Sequence, residues 1–119
     1  MIQKPLVSIV LGTRPEAIKL APLIVKFREN SFFNTRVVLT GQHKEMVEQV
    51  MRLFSLKGDI DLNLMEPNQT LTQLTCKALE ALKNEYEEHT PDLVLVQGDT
   101  STAFAAALAA FYQKIHIGH

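Results

Sequence analysis

Val7-Ser8-Ile9-Val10-Leu11-Gly12-Thr13-Arg14-Pro15-Glu16 is the stretch on which the fold turns. A nearly unbroken apolar run stops at a glycine, and helix-opening residues follow at once. Continuous apolar strands are buried on both faces, which is the mark of a parallel sheet. Moving outward, the same grammar repeats. Val37-Val38-Leu39 is stopped by Thr40-Gly41, and Leu93-Val94-Leu95-Val96 by Gln97-Gly98. Ile60-Asp61-Leu62-Asn63-Leu64 alternates, predicting a less completely covered strand, and Ile115-His116-Ile117 is a last short candidate.

Between these runs the apolar period becomes helical. Met46, Val47, Val50, Met51 and Phe54 recur at helix spacing. Leu71, Leu74, Thr75, Ala78, Leu82 and Tyr86 trace a second stripe, with Lys83, Glu85, Glu87 and Glu88 expected to face water. Thr102 to Tyr112 is apolar nearly all round, which predicts deep burial. Strand, helix, strand, helix implies crossover connections, so the expected class is α/β: a Rossmann-like parallel sheet with helices on both faces. Pro22 sits about two turns into the first helix, where it removes a donor and crowds the preceding turn. Either a kink or a second helical segment beginning at Pro22 is expected.

The chain has 119 residues, 46% hydrophobic and 21% charged, with a formal net charge of -1. That suits one folded domain and gives no global pull toward nucleic acid or an acidic membrane. Cys76 stands alone, which excludes a disulfide framework and a cysteine zinc site within the chain. The run ending at Leu11 is too short to cross a membrane and no small-residue cleavage site follows it, so a cytoplasmic location is expected.

Chemistry concentrates where the apolar runs end. In open α/β sheets ligands bind beyond the carboxyl ends of the strands, at the point where strand order reverses. The first strand and the Leu93–Val96 strand are the expected neighbours there. Gly12 and Thr13 open a helix N-terminus whose N–H groups suit an anion, and the Arg14 fork suits phosphate oxygens. The plainer alternative is that Thr13 and Glu16 form a capping box and Arg14 is merely solvated; both readings stand. Asp99 lies at the same crevice as a candidate acid or base, although spacing favours Asp99 or Thr100 as a helix cap. Lys19 follows Arg14 by five positions, so only an irregularity at Pro22 would turn it inward; surface pairing with Glu16 is the simpler role. Gln42 and His43 end the second strand. His116 and His119 lack ligand partners in sequence, so no metal site is expected. GxGxxG and Walker lysine motifs are both absent, which argues against a nicotinamide site and a P-loop.

Taken together, Gly12-Thr13-Arg14-Pro15-Glu16-Ala17-Ile18-Lys19-Leu20-Ala21-Pro22, then Thr40-Gly41-Gln42-His43, then Val96-Gln97-Gly98-Asp99-Thr100, resemble the bacterial non-hydrolysing UDP-N-acetylglucosamine 2-epimerases. The resemblance runs in order from about Val7 to His119. It implies a two-domain GT-B-like fold with the active site between Rossmann-like domains. It implies interconversion of UDP-N-acetylglucosamine and UDP-N-acetylmannosamine for surface polysaccharides, by elimination and re-addition of UDP with no nicotinamide or metal. By position it makes Asp99 the catalytic carboxylate. Arg14 and Lys19, with Gly12 and Thr13, become the substrate-binding residues. Gln42, His43 and Glu45 fall near a second, activating UDP-N-acetylglucosamine. Residues 1–119 are then expected to be an incomplete N-terminal Rossmann-like domain, inactive alone, whose full-length parent is a homodimer binding a UDP-sugar but neither nucleic acid nor membrane. The alternatives are a glycosyltransferase or hydrolysing epimerase on the same scaffold, or a self-contained nucleotide-binding module.

Overall fold

The computed structural model describes residues 3–119. Five strands alternate with four helices: β1 (Leu6–Leu11), α1 (Arg14–Glu29), β2 (Asn34–Leu39), α2 (Lys44–Leu53), β3 (Ile60–Asp61), α3 (Leu71–Glu88), β4 (Leu93–Leu95), α4 (Ser101–Tyr112) and β5 (His116–Gly118). All strand pairs are parallel, in the order β3-β2-β1-β4-β5. The order reverses between β1 and β4, as a doubly wound order places it.

Side-chain alternation splits the core into two layers. Val7, Ile9, Leu11, Val37 and Leu39 meet α1 and α2 through Ala17, Ile24, Val47 and Met51. Val10, Val38, Val94 and Val96 meet α3 and α4 through Leu74, Leu82, Tyr86 and Ala106. A short β4 strand with both faces used in this way needs a helix on each side, which is why its run contains no polar residue.

Several expectations are corrected. The alternating run ends as a strand at Asp61, because Asn63 takes a left-handed φ of 55 and donates its N–H to Asp61 Oδ1 at 2.9 Å. This local turn breaks the pleat, while Leu64 still enters the core. The α1 helix passes through Pro22 unbroken. Pro22 is exposed, and the carbonyl that loses its partner belongs to Ile18, itself 49% exposed. Met46 and Leu71, placed by spacing on apolar stripes, are exposed.

The α4 helix is not buried all round. It packs Ala103, Ala105, Ala106, Ala109 and Ala110 inward and leaves Phe104, Phe111 and Tyr112 exposed. Alanine lets α4 approach α3 closely, and that close approach leaves the rings no room on the inner side.

Glu85, expected in water, is buried. It follows Leu82 by one turn on the core-facing stripe and meets Arg36 in a two-pronged pair, Nε to Oε2 at 2.6 Å and Nη2 to Oε1 at 3.1 Å. Donating to the Glu85 carboxylate pushes the Arg36 pKa above its usual value. Beside it, Tyr86 donates its hydroxyl to the Ala106 carbonyl at 3.0 Å, fastening α3 to α4.

Candidate functional site

The loops after β1, β2 and β4 converge at the carboxyl edge of the sheet. Gly12 belongs there because of a close approach: a Cβ at this position would collide with Thr40 Oγ1 at the end of β2. Its carbonyl accepts the His43 N–H at 2.8 Å, which joins the first loop to the second. Gly98 is needed for a different reason, since its φ of +87 is a conformation that side chains rarely adopt.

The centre of the crevice wall is Glu16, only 2% exposed. Glu16 Oε1 accepts the backbone N–H groups of Gly12 at 2.8 Å and Thr13 at 3.1 Å. Glu16 Oε2 accepts the Thr100 hydroxyl at 2.7 Å. Thr100 Oγ1 in turn accepts the Ala103 N–H at 3.1 Å, so Thr100, not Asp99, caps α4. The Thr102 hydroxyl donates to Gln42 Oε1 at 3.0 Å and ties α4 to the β2 loop. Each hydroxyl has one proton, and both protons are thereby spent; the 3.3 Å Thr100–Thr102 approach is a packing contact.

The expected site residues therefore divide. Gly12 and Thr13 are buried, and their N–H groups are bonded to Glu16, so of the two readings of this turn the capping box is the one the structure shows. Glu16 is buried and makes no pair with Lys19. Arg14 and Asp99 are exposed, on the loops after neighbouring strands β1 and β4, and neither has a hydrogen-bond or ion-pair partner among the described residues. Lys19 is exposed on the unbroken α1, about 140° around the axis from Arg14. Gln42 turns into the network, whereas Glu45 lies exposed on the first turn of α2; the two do not share a face. His43 heads α2, with Nδ1 buried and unpartnered. Thr40 Oγ1 is likewise buried without a partner. From the far side, the His119 ring nitrogen Nε2 lies 2.8 Å from the Gly98 carbonyl and braces the Asp99 loop.

Sequence reasoning missed Glu16, Thr100 and Thr102 as the residues that hold the crevice together. The usable signal was the Thr13–Glu16 spacing, which marked the carboxylate as a cap but not its reach to α4. Among the described residues no three His, Cys, Asp or Glu side chains gather as a metal site, and no helix is long and apolar enough to cross a membrane.

A family model for UDP-N-acetylglucosamine 2-epimerase matches residues 25–119. An Escherichia coli K12 protein named UDP-N-acetylglucosamine 2-epimerase is 54% identical over 110 residues, which cover 92% of this chain and 29% of that protein. The chain thus spans less than a third of that relative's length. A Neisseria meningitidis UDP-GlcNAc 2-epimerase, solved bound to UDP-GlcNAc, superposes with a TM-score of 0.92 at 51% identity, covering 96% of this chain and 31% of that one. The Methanocaldococcus jannaschii UDP-GlcNAc 2-epimerase, in complex with UDP-GlcNAc and UDP, gives 0.89 at 33% identity, covering 96% and 32%.

Proposed function

Because this chain belongs to the UDP-N-acetylglucosamine 2-epimerase family, we propose that residues 1–119 serve as the N-terminal Rossmann-like domain of a two-domain, GT-B-like epimerase. The whole enzyme interconverts UDP-N-acetylglucosamine and UDP-N-acetylmannosamine in the cytoplasm and feeds surface polysaccharide synthesis. The observation that carries this reading is the crevice itself. Three loops are locked together by internal hydrogen bonds, and two charged groups, Arg14 and Asp99, are left unspent on adjacent strand ends.

The chemistry fits what is unspent. Eliminating UDP leaves negative charge on the departing diphosphate, which the Arg14 guanidinium stabilises, with Lys19 adding charge from the outer side of α1. Removing the weakly acidic proton at the sugar C2 needs a carboxylate free of structural duty. Asp99 meets that condition, since Thr100 has taken the cap. Closure by a second domain would exclude water from this exposed face and strengthen both effects. Re-addition then returns UDP to C1 of the 2-acetamidoglucal while a proton delivered to the other face of C2 sets the opposite configuration there. Gln42, His43 and Glu45 are assigned to an activating UDP-N-acetylglucosamine, with Glu45 the only one of the three fully turned to solvent.

The test is a chimera in which this chain replaces the matching segment of the Escherichia coli relative. It is expected to interconvert the two UDP-sugars, and Asp99→Asn is expected to keep the fold and collapse turnover. An unchanged rate would remove Asp99 from the chemistry. Release of free N-acetylmannosamine, or sugar transfer to an acceptor, would instead favour a hydrolysing epimerase or a glycosyltransferase.

The parent is further proposed to be a homodimer. Phe104, Phe111 and Tyr112 form an exposed stripe along α4, and Tyr112 lies eight residues, about 12 Å, down the axis from Phe104. A domain covering the strand ends would leave the lower part of this stripe bare. Lys83 and Glu87 beside it supply both charge signs on one surface, as self-complementary pairing requires. Sedimentation of the chimera with Phe111→Glu should show monomers where the unmodified protein shows dimers; dimers in both would place the interface elsewhere.

A further inference from the structure

We propose that Glu16 is a positioning residue whose carboxylate acts as a built-in anion. It fills the N-terminus of α1 and holds the Asp99 loop through Thr100. In many α/β nucleotide sites the ligand phosphate takes the first N–H groups of the helix after β1. Here those donors, on Gly12 and Thr13, are bonded to a carboxylate that is 2% exposed. A phosphate could reach them only by displacing a buried group of its own charge. The ligand anion must therefore be read from outside, by the exposed guanidinium of Arg14 at the first position of α1, while the helix N-terminus stays internal.

The neighbour of Asp99 on one side, Thr100, is bonded to Glu16, and its neighbour Gly98 lies beside the same carboxylate. Thr100 donates its hydroxyl to Oε2, and a Cβ on Gly98 would stand in ordinary contact with that oxygen at 3.6 Å. With His119 against the Gly98 carbonyl, the loop is fixed on both sides while the Asp99 carboxylate itself is left without a partner. A short, charge-assisted bond sets where Asp99 stands, and no part of Asp99 is consumed in doing so. The claim about α1 does not depend on the proposed function; only the consequence for turnover rests on it.

The experiment reads backbone amides of the 119-residue chain by nitrogen-15 spectra during titration with sodium phosphate and then sodium acetate. In the unmodified chain the Gly12 and Thr13 amides should ignore both anions. In Glu16→Ala they should exchange about tenfold faster or more, for loss of a hydrogen bond to a charged acceptor. They should also shift saturably as acetate refills the vacated N-terminus, and Glu16→Gln should restore most of the protection. Phosphate-dependent shifts at Gly12 and Thr13 in the unmodified chain would overturn the proposal. So would a Glu16→Ala chain with unaltered amides at residues 12, 13 and 98–100.

Should Glu16→Ala fail to fold, Thr100→Val cuts only the tie to α4. Gly12 and Thr13 should stay protected while the Gly98–Thr102 amides lose protection, and protection unchanged throughout would refute the tie. In the chimera, Thr100→Val should lower kcat about tenfold with KM little changed, as expected when a group acts only in the transition state. An inactive unmodified chimera would count against the proposed function, and the amide titrations would still decide the role of Glu16.

Discussion

Two buried carboxylates, at opposite ends of the same sheet, are neutralised in different ways. At the amino end of the strands, Glu85 is met by Arg36, 2.6 Å away, and the arginine is used up in the process. At the carboxyl end, Glu16 is met by two backbone N–H groups and a hydroxyl, and the nearby Arg14 is left exposed. Burial of a carboxylate has to be compensated in both places. The difference is that the backbone donors already bonded to Glu16 are closed to a ligand, whereas a free guanidinium is open to one. One end therefore closes the domain, and the other keeps its mobile charge available.

The sharpest way to break this comparison is Arg36→Ala. It strands Glu85, 5% exposed, without its partner, and should cost about 3–5 kcal/mol in urea unfolding. That is a large part of the stability of a domain this size. The double change Arg36→Met with Glu85→Leu should recover most of the loss. A cost of the single change below about 1 kcal/mol would show that water reaches Glu85 after all.

A smaller effect comes from pH at the same end. Burial pushes the Tyr86 phenol well above its ordinary value of 10.0, and the neighbouring Glu85 carboxylate adds to the rise. An unfolded chain would ionise this phenol near pH 10 while the folded chain keeps it protonated. Stability from this group is therefore complete below about pH 10. It declines above it by up to about 1.4 kcal/mol per pH unit, until the folded phenol also ionises. Tyr86→Phe should flatten the alkaline limb of a thermal-melting pH series, and an identical limb would assign it to other groups.

The smallest change in stability is expected from Arg14→Ala, within about 0.5 kcal/mol, because Arg14 supports nothing within the described fold. Its effect should appear instead in UDP titrations of the chimera, as weakened binding. Loss of stability with unchanged binding would reverse the contrast between the two ends.

Much of this molecule was legible in its residues. Runs without polar alternation at Val7, Val37 and Leu93 announced strands covered on both faces, and the glycines after them marked the loops of the crevice. Leu71 and Met46 were placed by periodicity alone and proved exposed, because a helix stripe is wider than the surface its neighbours cover. Pro22 was expected to kink α1 or to start a second segment, and the second of these did not occur, since one helix runs from Arg14 to Glu29.

What the amino-acid sequence determined by itself was the order of elements along the chain and the turns that end its apolar runs. Those follow from local apolar period and turn chemistry, which operate over a few residues. Which polar side chains the fold spends and which it leaves free was decided only in three dimensions. Glu16 finds Thr100 across 84 positions, and Arg36 finds Glu85 across 49. Periodicity carries no information over such separations, and a buried carboxylate takes whichever donor the packed chain brings within reach.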